Sequence, residues 1–258
     1  KRMRPPKIRD DIRYEPLRYV INDIFPTPLL RGQMQGINED VVRDSIALVD
    51  EIKQFESDPL RNYTTYFFQE QRLKMEELPW YRYFANTIKD TYIDYVKNQF
   101  GRRVSHLNRH NIHLFAWTSV WTEGIYHKYH SHQDSIVSGT YYPINEGGQG
   151  IKFQSPAYHS AWIHTNKPET GKSDFPNALG VGQPGSLTEM IYTPVDGEVL
   201  MWPSNLLHTV EPRDETSHAN KDYSEDYKRV AISFNLKHNE PIDNTEHGDD
   251  LSYEFLQS

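Results

Sequence analysis

The residues best suited to chemistry lie between Tyr126 and Pro143, in the stretch YHKYHSHQDSIVSGTYYP. Within it, His130, His132 and Asp134 occupy every second position. Alternate side chains of an extended strand lie on one face, so two histidines with this spacing can reach a single metal ion. A carboxylate from the following turn can join them. The spacing predicts half of a metal site.

The same alternation assigns His127 to the opposite face, and we expect it to be a structural histidine. The other half of the site is predicted downstream, in PVDGEVLMWPSNLLHTVEP. A turn at Asp196-Gly197 starts a strand that ends at Trp202-Pro203, and His208 follows. Three ligands on neighbouring strands of a jelly roll leave open positions for substrate and dioxygen at a non-haem Fe(II).

A last strand, RVAISFN, carries an arginine on the face that also holds Ala231, Ser233 and Asn235. This arginine, Arg229, is costly to bury inside a barrel unless it meets an anion. Its planar guanidinium can bind a carboxylate through two hydrogen bonds. Arg229 either pairs with one of the 36 acidic residues or binds a carboxylate-bearing ligand, and its place beside the predicted metal site favours the ligand.

The order HSHQDSIVSGTYYP, TPVDGEVLMWPSNLLHTV, RVAISFN resembles that of the 2-oxoglutarate-Fe(II) oxygenase superfamily. It is especially similar to a group of marine bacterial and phage oxygenases with an H-x-H…S-G-x-x-Y signature. INDIFPTPLL, near the start, resembles the beginning of that group, so the likeness extends over about residues 21–236. The resemblance implies a double-stranded β-helix that binds Fe(II) and 2-oxoglutarate.

The resemblance also implies roles for single residues. His208 would be the distal iron ligand, and Arg229 would bind the far carboxylate of 2-oxoglutarate. Tyr142 falls on the signature tyrosine and shares a strand face with Ser138 and Thr140. Tyr142 either helps to hold the cosubstrate by its hydroxyl or is a buried structural tyrosine. The remaining candidates for cosubstrate binding are Ser138, Ser233 and Asn235.

Two ligand schemes compete for the third iron ligand. The usual H-x-D of the superfamily matches His132 and Asp134, whereas the H-x-H of the narrower group matches His130 and His132. His208 belongs to both schemes. We expect His132, Asp134 and His208 to bind the iron, because a carboxylate partly neutralises Fe(II). His130 would then orient a ligand through a hydrogen bond, although H-x-H at a strand end also favours His130 as the ligand.

The expected activity is hydroxylation of a peptide or protein residue or of a small molecule, with release of succinate and CO2. The alternative is a cupin-type metal protein, a dioxygenase, isomerase or sugar-binding module that does not use 2-oxoglutarate. GIYHKYHSH matches the cupin spacing of a glycine before H-x-H, but no glutamate lies between Asp134 and Gly139, and Arg229 would have no role. A third alternative is a metal-free structural or binding protein.

The elements that must position these residues are helices first and strands later. YVINDIFPTPLLRG indicates an opening strand interrupted by prolines, and Asn38 is a candidate N-cap for a helix over 39–56 whose apolar stripe ends at Phe55. A second helix is expected over about 81–99, and its aromatic stripe, which includes Phe84 and Tyr92, is expected to be core. Beyond residue 110, short β-rich runs between turn signals are typical of an antiparallel sandwich or barrel. The fold class is therefore α+β and mainly β, a jelly roll with N-terminal helices packed on it.

We expect one domain over residues 21–238, with a helical part at 38–101 and a jelly-roll part at 110–238. A basic arm, 1–20, precedes it, and an acidic tail, 239–258, follows. Two long stretches rich in Gly, Pro, Ser and Asn interrupt the β-rich part, at 155–187 and 211–227. The first is either a lid over the site or a disordered surface loop.

Composition narrows the remaining choices. The 258 residues include no cysteine, which excludes disulfides, thiolate metal ligands and a cysteine nucleophile. The net charge of −8 argues against nucleic acid as a partner, because phosphate contacts require clustered Lys and Arg. No apolar run reaches the roughly 18 residues of a membrane span. We expect a cytoplasmic protein that acts on a small molecule, peptide or protein.

Overall fold

The computed structural model describes residues 18–24, 27–100, 106–121, 126–146, 150–156, 189–210 and 229–238. Most of the expected basic arm, nearly all of the 155–187 stretch, all of the 211–227 stretch and the whole acidic tail lie outside these residues. The proposal that the 155–187 stretch is a lid therefore concerns residues that are not described.

The described residues form three helices and ten strands. The helices are α1 (Asn38–Lys53), α2 (Gln69–Glu76) and α3 (Tyr81–Phe100). The strands are β1 (Arg18–Ile24), β2 (Thr27–Gln33), β3 (Ile112–Trp121), β4 (His127–His130), β5 (Val137–Asn145), β6 (Ile151–Gln154), β7 (Glu189–Tyr192), β8 (Glu198–Pro203), β9 (His208–Val210) and β10 (Arg229–His238). Among these elements, no helix is both long and apolar enough to cross a membrane.

The strands form two antiparallel sheets. The larger has the order β1-β2-β8-β5-β10-β3, and the smaller has the order β4-β9-β6-β7. One face of the large sheet packs on the helices, and apolar residues of its other face pack on the small sheet. This is a double-stranded β-helix with helices on its outer side, so the expected fold class is confirmed.

Strand alternation divides the large sheet between two cores. In β8, Val199 and Met201 belong to the core under the helices, whereas Leu200 and Trp202 belong to the core between the sheets. The aromatic stripe of the second predicted helix, which includes Phe84, is buried in the helix-side core. The prediction that this stripe is core is confirmed.

The start and end of α1 differ from the prediction. Asn38 is the first residue of the helix and Ile37 precedes it, so Asn38 is not the N-cap. Its side-chain oxygen instead accepts a hydrogen bond from the Tyr141 hydroxyl, which ties the helix to β5. The helix ends at Lys53, and Phe55 lies beyond it with 61% of its surface exposed.

The N-terminal segment forms a hairpin instead of one interrupted strand. β1 pairs with β2 from Arg18↔Gln33 to Ile24↔Thr27, and β2 also pairs with β8. The large sheet therefore contains two strands that precede the helices in the chain. Pairing with β8, about 170 residues downstream, cannot be inferred from a local pattern.

Candidate metal and cosubstrate site

Three histidines meet where the small sheet faces the large one. His130 ends β4 and His208 begins β9, and the two residues are directly opposite each other in the antiparallel pair. His132 lies two residues beyond β4, where its backbone N–H donates to the carbonyl of Ser204 at 2.9 Å. The loop after β8 thus holds His132 beside His208.

The distances between the three rings suit one metal ion. Nε2 of His132 lies 3.3 Å from Nε2 of His208, and one nitrogen from each of the three histidines lies within 4.8 Å of the others. Nitrogen ligands about 2.1 Å from a shared ion are about 3 Å apart. The His130 ring centroid lies 4.3 Å from that of His208, so the third ring is also close to the shared position.

Backbone carbonyls fix which nitrogen of two rings can bind a metal. Nδ1 of His130 is 2.7 Å from the carbonyl of Lys128, and Nδ1 of His208 is 2.9 Å from the carbonyl of Leu206. Because a carbonyl only accepts hydrogen bonds, each Nδ1 carries the proton. The lone pair is therefore on Nε2, the nitrogen that His208 directs towards His132.

Burial keeps the imidazoles of His132 and His208 neutral, which is the form that binds metal. It lowers the pKa of His132 to about 4, and the neighbouring His130 lowers it further. Burial also lowers the pKa of His208 well below its ordinary value, against the raising effect of its hydrogen bond to the Leu206 carbonyl. Three convergent imidazoles are a donor set that fits Fe(II).

Asp134 does not join this group. Among the described residues, the cluster able to hold a metal contains His130, His132 and His208 and no carboxylate. Asp134 is exposed, and its φ of 65° lies in the left-handed region that Asp and Asn adopt more readily than other residues with a side chain. The chain turns there, so the alternation does not continue from His132 to Asp134. The grouping matches H-x-H and differs from the expected set of His132, Asp134 and His208.

The three histidines line a partly open cavity of about 50 Å³ between the sheets. Arg229 and Tyr142 contribute to its wall, together with Thr140 and Ser233.

Arg229 is 1% exposed. Its guanidinium carbon lies 4.9 Å from the centre of the Trp121 ring and 5.1 Å from that of Tyr142. Burial raises the pKa of the Tyr142 hydroxyl, and the positive charge of Arg229 opposes that rise. The cavity thus contains a buried cation and a protonated phenol, which together can bind an anion.

The predicted cosubstrate residues fall into two groups. Arg229, Tyr142 and Ser233 line the cavity. The hydroxyl of Ser138 donates instead to Asn235 Oδ1 at 2.8 Å, and neither residue is among those that line the cavity. The Ser138 hydroxyl also lies 2.9 Å from that of Ser204, in the loop that holds His132.

His127 lines the cavity as well, although alternation assigned it to the opposite face. The β4–β9 register is irregular between His127 and His130, and such a bulge lets both side chains point the same way. Burial lowers the pKa of His127 to about 4, with His130 and Arg229 adding to the effect. His127 hydrogen bonds to the Tyr63 hydroxyl.

Tyr63 contacts the site through His127, and no sequence pattern identifies it as a site residue. It lies after α1, and its carbonyl accepts a hydrogen bond of 2.9 Å from the backbone N–H of Val120. A β-bridge between Thr64 and Ser119 extends this contact along the outer edge of β3. The helical part of the chain thereby supplies one side chain to the site.

Close packing around Gly139 explains the glycine of the S-G-x-x-Y pattern. A Cβ at Gly139 would lie 2.4 Å from the carbonyl oxygen of Leu200 and 2.4 Å from the Phe234 ring. Only glycine therefore permits this approach between β5, β8 and β10. The residues next to it in the pattern, Ser138 and Thr140, lie on the opposite face of the strand.

Three aromatic residues, which we call the aromatic rim, lead from the histidines to the surface. The Trp117 ring lies 6.0 Å from that of His132, and the Tyr66 ring lies 5.0 Å from Trp117 and 5.9 Å from Phe115. Tyr66 and Phe115 are 43% and 40% exposed. The rim offers apolar ring faces beside the metal cluster.

The sequence model of a family described as "Putative 2OG-Fe(II) oxygenase" matches residues 115–235. No curated protein matches the chain. The matched range includes His130, His132, His208 and Arg229.

Several solved structures are similar to this chain. A prolyl-4-hydroxylase from Pseudomonas putida is 14% identical, with a TM-score of 0.42 over 85% of this chain and 92% of that chain. HygX from Streptomyces hygroscopicus, with nickel and 2-oxoglutarate bound, is 10% identical, with a TM-score of 0.43 over 82% of this chain and 83% of that chain.

Proposed function

We propose that this chain, whose residues 115–235 match the model of a 2OG-Fe(II) oxygenase family, holds Fe(II) through His130, His132 and His208 and binds the far carboxylate of 2-oxoglutarate through Arg229. One observation carries the proposal. The convergent nitrogen atoms of the three histidines and the buried guanidinium of Arg229 line the same cavity.

The family match supports the enzyme class, an oxygenase that uses Fe(II) and 2-oxoglutarate, and it agrees with the resemblance found in the sequence. When bound, the iron and 2-oxoglutarate supply the oxidising chemistry, in which dioxygen is consumed, 2-oxoglutarate leaves as succinate and CO2, and a substrate C–H becomes C–OH. The residues of the chain bind, orient and exclude water.

The three histidines contribute no negative charge to the metal. Their carbonyl-bound Nδ1 atoms hold the rings of His130 and His208 in one orientation, so little rearrangement is needed when a metal binds. In this scheme the carboxylates of 2-oxoglutarate provide the compensating charge. Each of the two carboxylates of 2-oxoglutarate would then meet a positive charge, one at the metal and the other at Arg229.

Hydroxyl groups complete the cosubstrate pocket. Because burial raises its pKa, the Tyr142 hydroxyl stays protonated and can donate to a carboxylate oxygen. Thr140 and Ser233, whose hydroxyl oxygens are 3.4 Å apart on neighbouring strands, line the cavity between the sheets. Such groups can accept or donate as the ligand requires.

The substrate is a small molecule or a residue of a peptide or protein. We place it on the aromatic rim, because Trp117 both lines the cavity and contacts His132. The exposed rings of Tyr66 and Phe115 extend that surface outward, and aromatic faces bind apolar and ring-shaped groups. The substrate C–H would then reach the metal from the side of His132.

Anaerobic titration tests the proposal. Addition of Fe(II) and then 2-oxoglutarate to the metal-free protein should produce the weak visible charge-transfer band of a 2-oxoglutarate chelate. The Arg229→Gln variant should bind Fe(II) normally and need much more 2-oxoglutarate to produce the band. Binding of Fe(II) without a band in the wild type would contradict the proposal and favour the cupin-type alternative.

A further inference from the structure

Two buried tryptophans of the cavity wall have indole N–H groups without an acceptor. Trp121 is 3% exposed and Trp202 is 1% exposed, and both line the cavity. Within the described part of the chain, no atom accepts a hydrogen bond from Nε1 of either residue. Buried donors are nearly always paired, and an unpaired donor costs free energy unless a ligand or water pairs it. These two indole N–H groups are therefore able to donate to a ligand bound in the cavity.

Trp121 lies at the same end of the cavity as Arg229. It is the last residue of β3 and is directly opposite Arg229, the first residue of β10. The guanidinium lies over its ring, and the His127 ring packs on it at 4.7 Å. Trp202 is elsewhere, against His208 at 5.1 Å. Of the two unpaired donors, Trp121 is the one beside the buried cation.

We propose that the Nε1–H of Trp121 is a second donor to the far carboxylate of 2-oxoglutarate, beside the guanidinium of Arg229. The inference rests on the proposed function. An ionised carboxylate offers about four acceptor positions, and a guanidinium fork fills two of them. An indole N–H can only donate, so it is satisfied by an anion and adds to the recognition of the far carboxylate.

Trp80, which precedes α3 and lies in the helix-side core, provides a control. It is 2% exposed, and its indole N–H donates to Asp44 at 3.0 Å. Removal of that N–H breaks a bond that the folded protein already has. Removal of the N–H of Trp121 breaks none, so the two changes should affect different properties of the protein.

The test removes the N–H of Trp121 and keeps the shape of the ring. The substitution is Trp121→β-(3-benzothienyl)alanine, with Trp121→Phe as a second variant if the first fails to fold. Calorimetry of the Mn(II)-loaded protein should give a roughly tenfold or greater loss of 2-oxoglutarate affinity, the usual cost of one hydrogen bond to a charged group. Affinity for 2-oxobutyrate, which has no far carboxylate, should not change, and the melting temperature of the ligand-free protein should not fall.

The control Trp80→Phe should lower the melting temperature and leave the affinity for 2-oxoglutarate unchanged. Unchanged affinity for 2-oxoglutarate in the Trp121 variant, together with weakened affinity in Arg229→Gln, would overturn the inference and leave the proposed function standing. An equal loss of affinity for 2-oxoglutarate and 2-oxobutyrate would also overturn it. Unchanged affinity in Arg229→Gln would instead overturn the assignment of the cosubstrate site.

Discussion

Several buried donors on the two sides of the large sheet differ in their hydrogen-bond partners. On the helix side, the Trp80 indole donates to Asp44, the Tyr141 hydroxyl donates to Asn38, and the Tyr95 hydroxyl donates to the Pro28 carbonyl. On the inner side, the buried groups include Arg229 and the unpaired indole N–H of Trp121. These three helix-side donors have acceptors within the chain, whereas Nε1 of Trp121 has none among the described residues.

The same strands supply both faces. Alternation places Met201 under the helices and its neighbour Trp202 in the cavity wall. One face therefore provides most of the packing, and the other keeps polar groups that packing alone would not favour. We therefore expect mutations on one face to change stability and mutations on the other to change ligand affinity.

The most severe test of this separation is Arg229→Gln. We expect 2-oxoglutarate to bind about 100-fold more weakly or worse, since loss of one partner of a buried charge pair costs about 2–5 kcal/mol. The free energy of unfolding of the ligand-free protein should change much less than the affinity, because removal of a buried cation offsets the loss of its contacts with Trp121 and Tyr142. Calorimetry and urea denaturation measure the two effects. A large loss of stability with little loss of affinity would contradict this separation of the two faces.

The converse test is Phe84→Ala on the helix side. The Phe84 ring is fully buried and packs 6.0 Å from Phe234 and 6.1 Å from Tyr141. Truncation of a buried phenylalanine lowers the free energy of unfolding by about 3–5 kcal/mol. The fraction that remains folded should bind 2-oxoglutarate with wild-type affinity. If its affinity falls as far as that of Arg229→Gln, the two faces are not independent.

The smallest effect is expected at Asp134, outside both faces. Alanine at a φ of 65° should lower the free energy of unfolding by about 1 kcal/mol, whereas asparagine, which tolerates this conformation, should be neutral. Thermal or urea denaturation of Asp134→Ala and Asp134→Asn measures the difference. Equal stability of the two variants would show that the turn does not need a residue suited to positive φ.

Much of the fold could be predicted from the sequence, because alternation and turn signals are local. The turn at Asp196-Gly197 is present, with Gly197 at a φ of 79°, and RVAISFN forms the start of β10. The hairpin of β1 and β2 was not predicted, and the pairing of β2 with β8 could not be, because these two strands lie far apart in the chain. The short strand β9 was also missed, because three residues give no periodic pattern.

The candidate site could be predicted only in part, for two physical reasons. A bulge in β4 broke the alternation that had placed His127 outside the cavity. A left-handed turn at Asp134 broke the alternation that had suggested a carboxylate ligand. Tyr63 reaches the site through an edge contact with β3, for which no pattern around residue 63 gives a signal.

The central claim is a site of three histidines, and the most direct test compares metal affinity in His130→Ala and Asp134→Asn. Anaerobic Fe(II) titration should show a loss of roughly 100-fold or more in His130→Ala, since removal of a ligand costs at least as much as removal of an outer partner. Asp134→Asn should bind Fe(II) like the wild type, as should His110→Ala, a control at an exposed histidine outside the cluster. Loss of Fe(II) binding in Asp134→Asn with retention in His130→Ala would contradict the account and restore the scheme with a carboxylate ligand.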